Sequence, residues 1–239
     1  MVVNVIRRPT TKKERLRAAR AWAEGRETYV PSRNVIVRSP VRILRELVSV
    51  KMGCKVPCES SIEYDHFVVL DTRHDVASFR AQPEIIRVPD ETGTIRRHYP
   101  DARVEFTNGK VEIHEVKPDK VAAKPEVVAQ HALVAAEYAR RGLSYVVVTE
   151  SDIRRQPRLD NARLIRSARM HRPSQATWAF VSVALSNGPL PFTALEALAG
   201  TVSAKMELLA LTLRGQLHME WERLPVGPAI LVSLQDAPR

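Results

Sequence analysis

Cysteine is almost absent from this chain of 239 residues, which has two, and that scarcity excludes a disulfide framework. Cys54 and Cys58 form an isolated C-x3-C with no second pair to complete a tetrahedral zinc set, so they read as buried or spare thiols in a reducing compartment. Aromatic residues make up 5%. Trp22, Trp178 and Trp221 are spaced for core packing and lack the interleaving of a base-stacking surface. Long apolar runs are missing too: WAFVSVAL is short, and the later apolar stretch is interrupted by Glu196, Lys205 and Glu207. None reaches the ~20 residues a membrane helix needs, and the first residues hold too short an apolar stretch for a signal peptide. A cytoplasmic protein with no membrane partner is the expectation. There is no internal repeat or low-complexity tract, and the seven histidines contain no HExxH-type pair.

What is present is ordinary globular composition with a skewed charge. Hydrophobic residues at 44% and charged residues at 27% exclude whole-chain disorder, collagen-like repeats and a coiled-coil rod. Lysine and arginine number 37 against 27 aspartates and glutamates, a formal charge of +10, which favours a polyanionic partner such as DNA. Residues 1–58 carry 14 basic and 4 acidic side chains, residues 59–150 carry 12 and 16, and residues 151–239 carry 11 and 7. Residues 151–172 alone hold 7 basic residues against Asp152 and Asp160. Two basic segments thus flank an acidic middle. Carboxylates gathered together repel unless a cation compensates them, and a metal-dependent nuclease needs both a basic track and an acidic pocket.

The pattern of elements is αβ. Thr11 and Glu14 form a capping-box pair for a basic helix over 11–25, a candidate phosphate-contacting arm. Residues 29–39 read as extended or loop and residues 41–48 as a short amphipathic stretch. A helix is predicted over 59–70, with Ile62, Phe67, Val69 and Leu70 apolar and Glu59 and Glu63 on one face. A meander of strands follows at 76–81, 85–88, 95–99, 102–106 and 111–116, the last two joined by the hairpin signal Asn108-Gly109. Pro125 opens a helix to about residue 141, Gly142 suits the position after its end, and residues 145–149 read as a buried strand. This predicts a mixed sheet with helices on both faces. Beyond residue 150 come helices at 158–170, 174–186, 193–199 and 201–214. Two strands follow, with Leu217, Met219 and Trp221 alternating against His218, Glu220 and Glu222 before 229–234 pairs back. Three helices and a hairpin outline a winged helix. The expected organisation is a basic arm (1–58), a catalytic core (59–150), a basic connector helix (151–172) and a winged-helix-like domain (173–239).

The chemistry centres on Pro100-Asp101, thirteen further residues, and Glu115-Val116-Lys117. Folding 102–116 as a hairpin sets Asp101 beside Glu115, and the two-residue spacing puts Glu115 and Lys117 on one face with Val116 opposite. Two carboxylates and an amine then share a small volume, with Glu63 on the preceding helix able to add a third carboxylate. Carboxylate oxygens are the preferred ligands of Mg²⁺. Such an ion lowers the pKa of bound water and stabilises a leaving 3′ oxygen, while Lys117 offers positive charge to the attacking water or the phosphorus.

The segments SVKMGCKVPCESSIEYDHFVVLD, VASFRAQPEIIRV and HYPDARVEFTNGKVEIHEVKP resemble the signature of the TnsA-type transposon-end endonucleases, over about residues 49–161. That family belongs to the restriction-endonuclease-like PD-(D/E)xK superfamily. The resemblance implies an active site of Glu63, Asp101, Glu115 and Lys117, with Mg²⁺, or Mn²⁺ in its place, held by Glu63, Asp101 and Glu115. It implies a restriction-endonuclease-like mixed sheet followed by a winged-helix domain, and a structural role for Gln82-Pro83 near the active edge. It implies cleavage of the 5′, non-transferred strand at transposon ends, leaving 5′ phosphate and 3′ hydroxyl. The partners implied are DNA, a DDE-type transposase and an AAA+ ATPase regulator, in the bacterial cytoplasm with the nucleoid.

Other candidates weigh less. His98 and His114 adjoin the motif and could support it from behind, though His114 alternates away from Glu115. Glu59 reads as a helix-start residue favoured by the dipole. Gln130 reads as helix surface, and His66, His74, His131, His171 and His218 as core or surface histidines. Two rival readings stand beside the transposon nuclease: a free-standing restriction or repair nuclease of the same fold, and a catalytically silent DNA-binding adaptor.

Overall fold

The computed structural model describes residues 45–90 and 92–235. The basic helix expected at 11–25 and the extended stretch at 29–39 lie outside the described residues. Strands β1 (Arg45–Val48) and β2 (Lys55–Cys58) form an antiparallel hairpin. This replaces part of the amphipathic stretch expected at 41–48, because Leu47 turns into the core together with Val56 and Cys58 of the partner strand. Helix α1 (Ser61–Thr72) begins at Ser60, whose Oγ accepts from the Glu63 amide. Glu59 therefore precedes the helix and does not share its face with Glu63. From Ile62 to Thr72 all but Tyr64 are buried, so α1 packs on all sides.

The central sheet has four strands in the order β3 (Val76–Ala81), β6 (Ala102–Phe106), β7 (Val111–Lys117), β8 (Ser144–Thr149). The first three run antiparallel and the β7–β8 pair is parallel. A parallel pair needs a crossover, and the turn of helix α2 (Asp119–Ala122) and the longer α3 (Pro125–Arg140) supply it. Pro125 occupies the first turn of α3, where its missing N–H costs nothing. The β6–β7 turn is a short loop in which the Gly109 amide bonds to the Phe106 carbonyl and Gly109 takes φ +82°. Strands β4 (Ile86–Pro89) and β5 (Ile95–His98) stand apart as a two-stranded hairpin and do not continue the meander. Their apolar side chains Ile86 and Val88 pack against Ile113, Val134 and Tyr138 on one face of the sheet. The opposite face, through Phe79, Ala102 and Val104, meets Phe67 to Leu70 of α1.

After β8, helix α4 (Glu150–Ile153) starts with a capping box between Thr149 and Asp152. Helix α5 (Arg158–Ser167) lays Leu159, Ala162 and Ile165 into the same apolar core as α1. Helix α6 (Gln175–Ala184), strand β9 (Leu190–Pro191), helices α7 (Phe192–Ala199) and α8 (Ala204–Leu213), and strands β10 (Leu217–Met219) and β11 (Leu231–Leu234) follow among the described residues. The last strands form an antiparallel sheet in the order β10-β11-β9. Leu217, Met219 and Trp221 are buried as the alternation predicts. Four of the seven arginines of the basic stretch 151–172 form ion pairs with carboxylates, while Arg155, Arg169 and Arg172 are exposed. Arg154 and Arg163 reach Asp65 at 2.9 and 2.8 Å, Arg158 pairs with Glu222 at 3.0 Å, and Arg166 pairs with buried Asp71. No helix among the described residues is long and apolar enough to cross a membrane.

Candidate active site

The β6–β7 register matches Ala102 with His114, so Asp101, one residue before β6, falls beside Glu115 near the end of β7. The contacts agree: the amide of Val116 donates to Asp101 Oδ2 at 2.7 Å. Lys117 Nζ donates to Glu115 Oε1 at 2.5 Å. Val116 faces the other way, into a small cluster with Ile62 and Ile153. Glu63 enters from the first turn of α1, where its Oε2 accepts from the Glu59 amide at 2.9 Å. The four residues named from the sequence thus meet at the rim of the sheet where β7 ends, close enough that Asp101 feels Glu115, Glu63 and Lys117.

Three carboxylates and one ammonium in a buried place do not share charge evenly. Burial, reinforced by Glu115 and Glu63, pushes the Asp101 carboxyl well above the ordinary carboxylate range. Burial also raises Glu63. Glu115 is nearly fully buried, which works against its charge, yet His98 and Lys117 outweigh that and hold it below its ordinary value. Burial likewise opposes the Lys117 ammonium, and Glu115 and Asp101 together more than offset it, so its pKa rises. The result is a fixed Glu115–Lys117 ion pair beside two carboxyls that retain protons more readily than usual.

As they stand, no three His, Cys, Asp or Glu side chains among the described residues are set to hold a metal ion. Each carboxylate of the trio faces its own local donor: Glu63 the Glu59 amide, Asp101 the Val116 amide, Glu115 the Lys117 ammonium. The donor set nonetheless suits a hard divalent cation. All of its ligand atoms are carboxylate oxygens, and Glu115 Oε2 is a buried acceptor without an aligned hydrogen bond, although His98 Nε2 stands 3.1 Å away. A divalent ion would offset the burial and the neighbouring carboxylates that together raise Asp101.

Around the four lie residues that the sequence showed weakly or not at all. Gln82 is buried, takes φ +46°, donates its backbone amide to the Asp101 carbonyl at 2.9 Å and its side-chain amide to Glu59 Oε1 at 2.8 Å. It ties the strand carrying Asp101 to the entry of α1, a role in keeping with the structural support expected of Gln82-Pro83. Glu59, just before the N-cap, accepts this bond at the helix start. His98, on β5, faces Glu115 directly. Behind it, Tyr145 of β8 bonds His131 Nδ1 at 2.8 Å, and burial with nearby Glu115 raises the pKa of its phenol. His114 points to the opposite side of the sheet, bonded to His66 at 3.0 Å and Glu112 at 2.8 Å. Gln130 sits half-buried on α3. A further local signal is Ser60-x-x-Glu63, a helix-start pattern that fixes where Glu63 emerges. Comparison of the chain with protein-family models and with curated proteins gives no match.

Proposed function

We propose that the chain is a metal-dependent DNA endonuclease of the TnsA-like kind. It cuts the 5′, non-transferred strand at transposon ends together with a DDE-type transposase and an AAA+ regulator. The observation that carries this reading is the buried rim where Glu63, Asp101 and Glu115 adjoin Lys117. Its setting supports a restriction-endonuclease-like core: a helix, three antiparallel strands, a crossover helix and a parallel fourth strand. The order α6-β9-α7-α8-β10-β11, closed by a three-stranded antiparallel sheet, supports a winged helix.

Glu63, Asp101 and Glu115 would hold the ion, and Mg²⁺ or Mn²⁺ suits their oxygens. When bound, such an ion would polarise a phosphate and lower the pKa of a bound water. Lys117, kept protonated by Glu115 and Asp101, presents a fixed positive charge to the negative charge that grows on the phosphoryl group during attack. His98 and the Lys117 ammonium fix the orientation of the Glu115 carboxylate from either side. Gln82 and the Val116 amide fix Asp101. Burial keeps bulk water from screening these charges.

The test is cleavage of supercoiled plasmid and transposon-end DNA with Mg²⁺ or Mn²⁺, with and without the transposase, by the wild type and by Asp101→Ala. Partner-dependent cutting lost on substitution is the expected result. Cutting that survives Asp101→Ala refutes the site. Efficient cutting without partners assigns a restriction or repair nuclease, and no cutting under any condition assigns a silent adaptor.

A further inference from the structure

The β4–β5 hairpin is two-faced by register. Ile86 pairs across with His98 and Val88 with Arg96, and this face carries the apolar contacts to α3 and the sheet as well as His98 against Glu115. On the other face Arg87 lies directly opposite Arg97, followed by Pro89 opposite Ile95, and all four are exposed. Like charges directly opposed on adjacent strands disfavour the pairing. Carboxylates relieve neighbouring arginines: Arg96 reaches Asp90 at 2.9 Å, and Arg141 reaches Glu84 and Glu137 at 3.1 and 2.8 Å. Arg87 and Arg97 make no ion pair or hydrogen bond to any described residue. With Arg141, Ile85 and Ile86 they line a depression of about 550 Å³. A pair of guanidinium groups that no described carboxylate neutralises suits an anion from outside, and guanidinium forks match phosphate oxygens.

The hairpin's place names which anion. Arg97 precedes His98 at the end of β5, and three residues later the chain reaches Asp101. We propose that Arg87 and Arg97, on the outer face of this hairpin, grip backbone phosphates of duplex DNA beside the carboxylate rim. The hairpin is then a reader of substrate position as well as the holder of His98. The inference rests on the nuclease reading, since it assigns that site's substrate contact, but the two can fail separately.

The experiment measures binding of a short fluorescein-labelled duplex by anisotropy in EDTA, where no cleavage occurs, across a salt series. It compares the full chain, Arg87→Ala/Arg97→Ala and Arg87→Lys/Arg97→Lys. The alanine pair is expected to weaken binding about ten-fold or more and to flatten the plot of log affinity against log salt by about 2, one counterion for each phosphate no longer gripped. The lysine pair should recover most of the slope, and the alanine pair should melt no lower than wild type because a repulsive pair has gone. Unchanged affinity and slope overturn the inference, as does weaker binding with an unchanged slope. The nuclease reading is judged apart, by the plasmid assay with Asp101→Ala: altered binding with no cutting by any form leaves the phosphate grip standing and removes the nuclease.

Discussion

Asp101 lies among two further carboxylates with the Val116 amide as its donor, and its raised pKa has a direct thermodynamic meaning. A carboxyl that holds its proton more tightly folded than unfolded draws stability away as pH climbs from its ordinary 3.8 through the raised value. Asp101→Asn keeps an acceptor for Val116 and removes that loss. Its advantage in melting temperature should be absent at low pH and grow toward neutrality, reaching about 2–4 °C for each kcal/mol relieved in a chain of this size. Scanning fluorimetry from acid to neutral pH checks this, and Mg²⁺ should raise the wild-type melting temperature while leaving the variant unmoved. Lys117→Ala is expected to slow cleavage by about 10²–10³ without weakening the Mg²⁺ dependence, since removing a cation from among carboxylates makes the place more attractive to another. Half-saturating Mg²⁺ that rises steeply would show Lys117 to be structural instead. At this scale the sequence was informative: a two-residue spacing on a strand and a turn of Asn108-Gly109 suffice to bring Asp101, Glu115 and Lys117 together. His98 and Tyr145 were less legible because they arrive through space from β5 and β8, with no local period to betray them.

Among elements, α1 and the β1–β2 hairpin depend on one another through Asp71. That carboxylate, fully inside, accepts from the Ser49 hydroxyl at 2.5 Å and the Val50 and Lys51 amides at 3.2 and 3.1 Å, and pairs with Arg166 of α5. Arg166 also donates to the Val48 carbonyl at 2.9 Å. Asp71→Ala strands a buried guanidinium and two amides, so a destabilisation of about 3–5 kcal/mol is expected, measured by urea denaturation. Asp71→Asn should recover part of it. A change below about 1 kcal/mol would mean that water reaches Arg166. These ties explain which elements could be read ahead of the structure. The α1, β6–β7 and α3 segments announce themselves by cap, turn and proline, whereas 45–58 carries its strand character only once Leu47 finds Val56 and Cys58 across the hairpin. The basic stretch 151–172 suggested a surface track by charge alone. Its carboxylate partners Asp65, Asp71 and Glu222 are distant in the chain, so nothing local signalled those ion pairs, while Arg155, Arg163, Arg169 and Arg172 stay exposed.

Over the whole molecule, one apolar core runs from Leu47 through α1, α5 and α8 to Val232. Elements on either side of residue 151 therefore share buried surface, and a single calorimetric transition is expected, with far-ultraviolet and near-ultraviolet dichroism coinciding. Two separated transitions would mean that the part beyond α5 folds by itself. The class of the fold, mixed α/β with a helix-flanked sheet, followed from the order of elements, while the separation of β4–β5 from the sheet did not, because strand pairing between distant segments leaves no mark in either one alone. The hairpin of β1 and β2 adds one more consequence. Cys58 is sealed within it and burial pushes its thiol up to about 12, while Cys54 in the loop is half open to solvent. A thiolate-seeking alkylating agent should therefore label Cys54 in the native protein and Cys58 only at moments when β2 lifts from α1, giving the molecule an internal clock for its own opening.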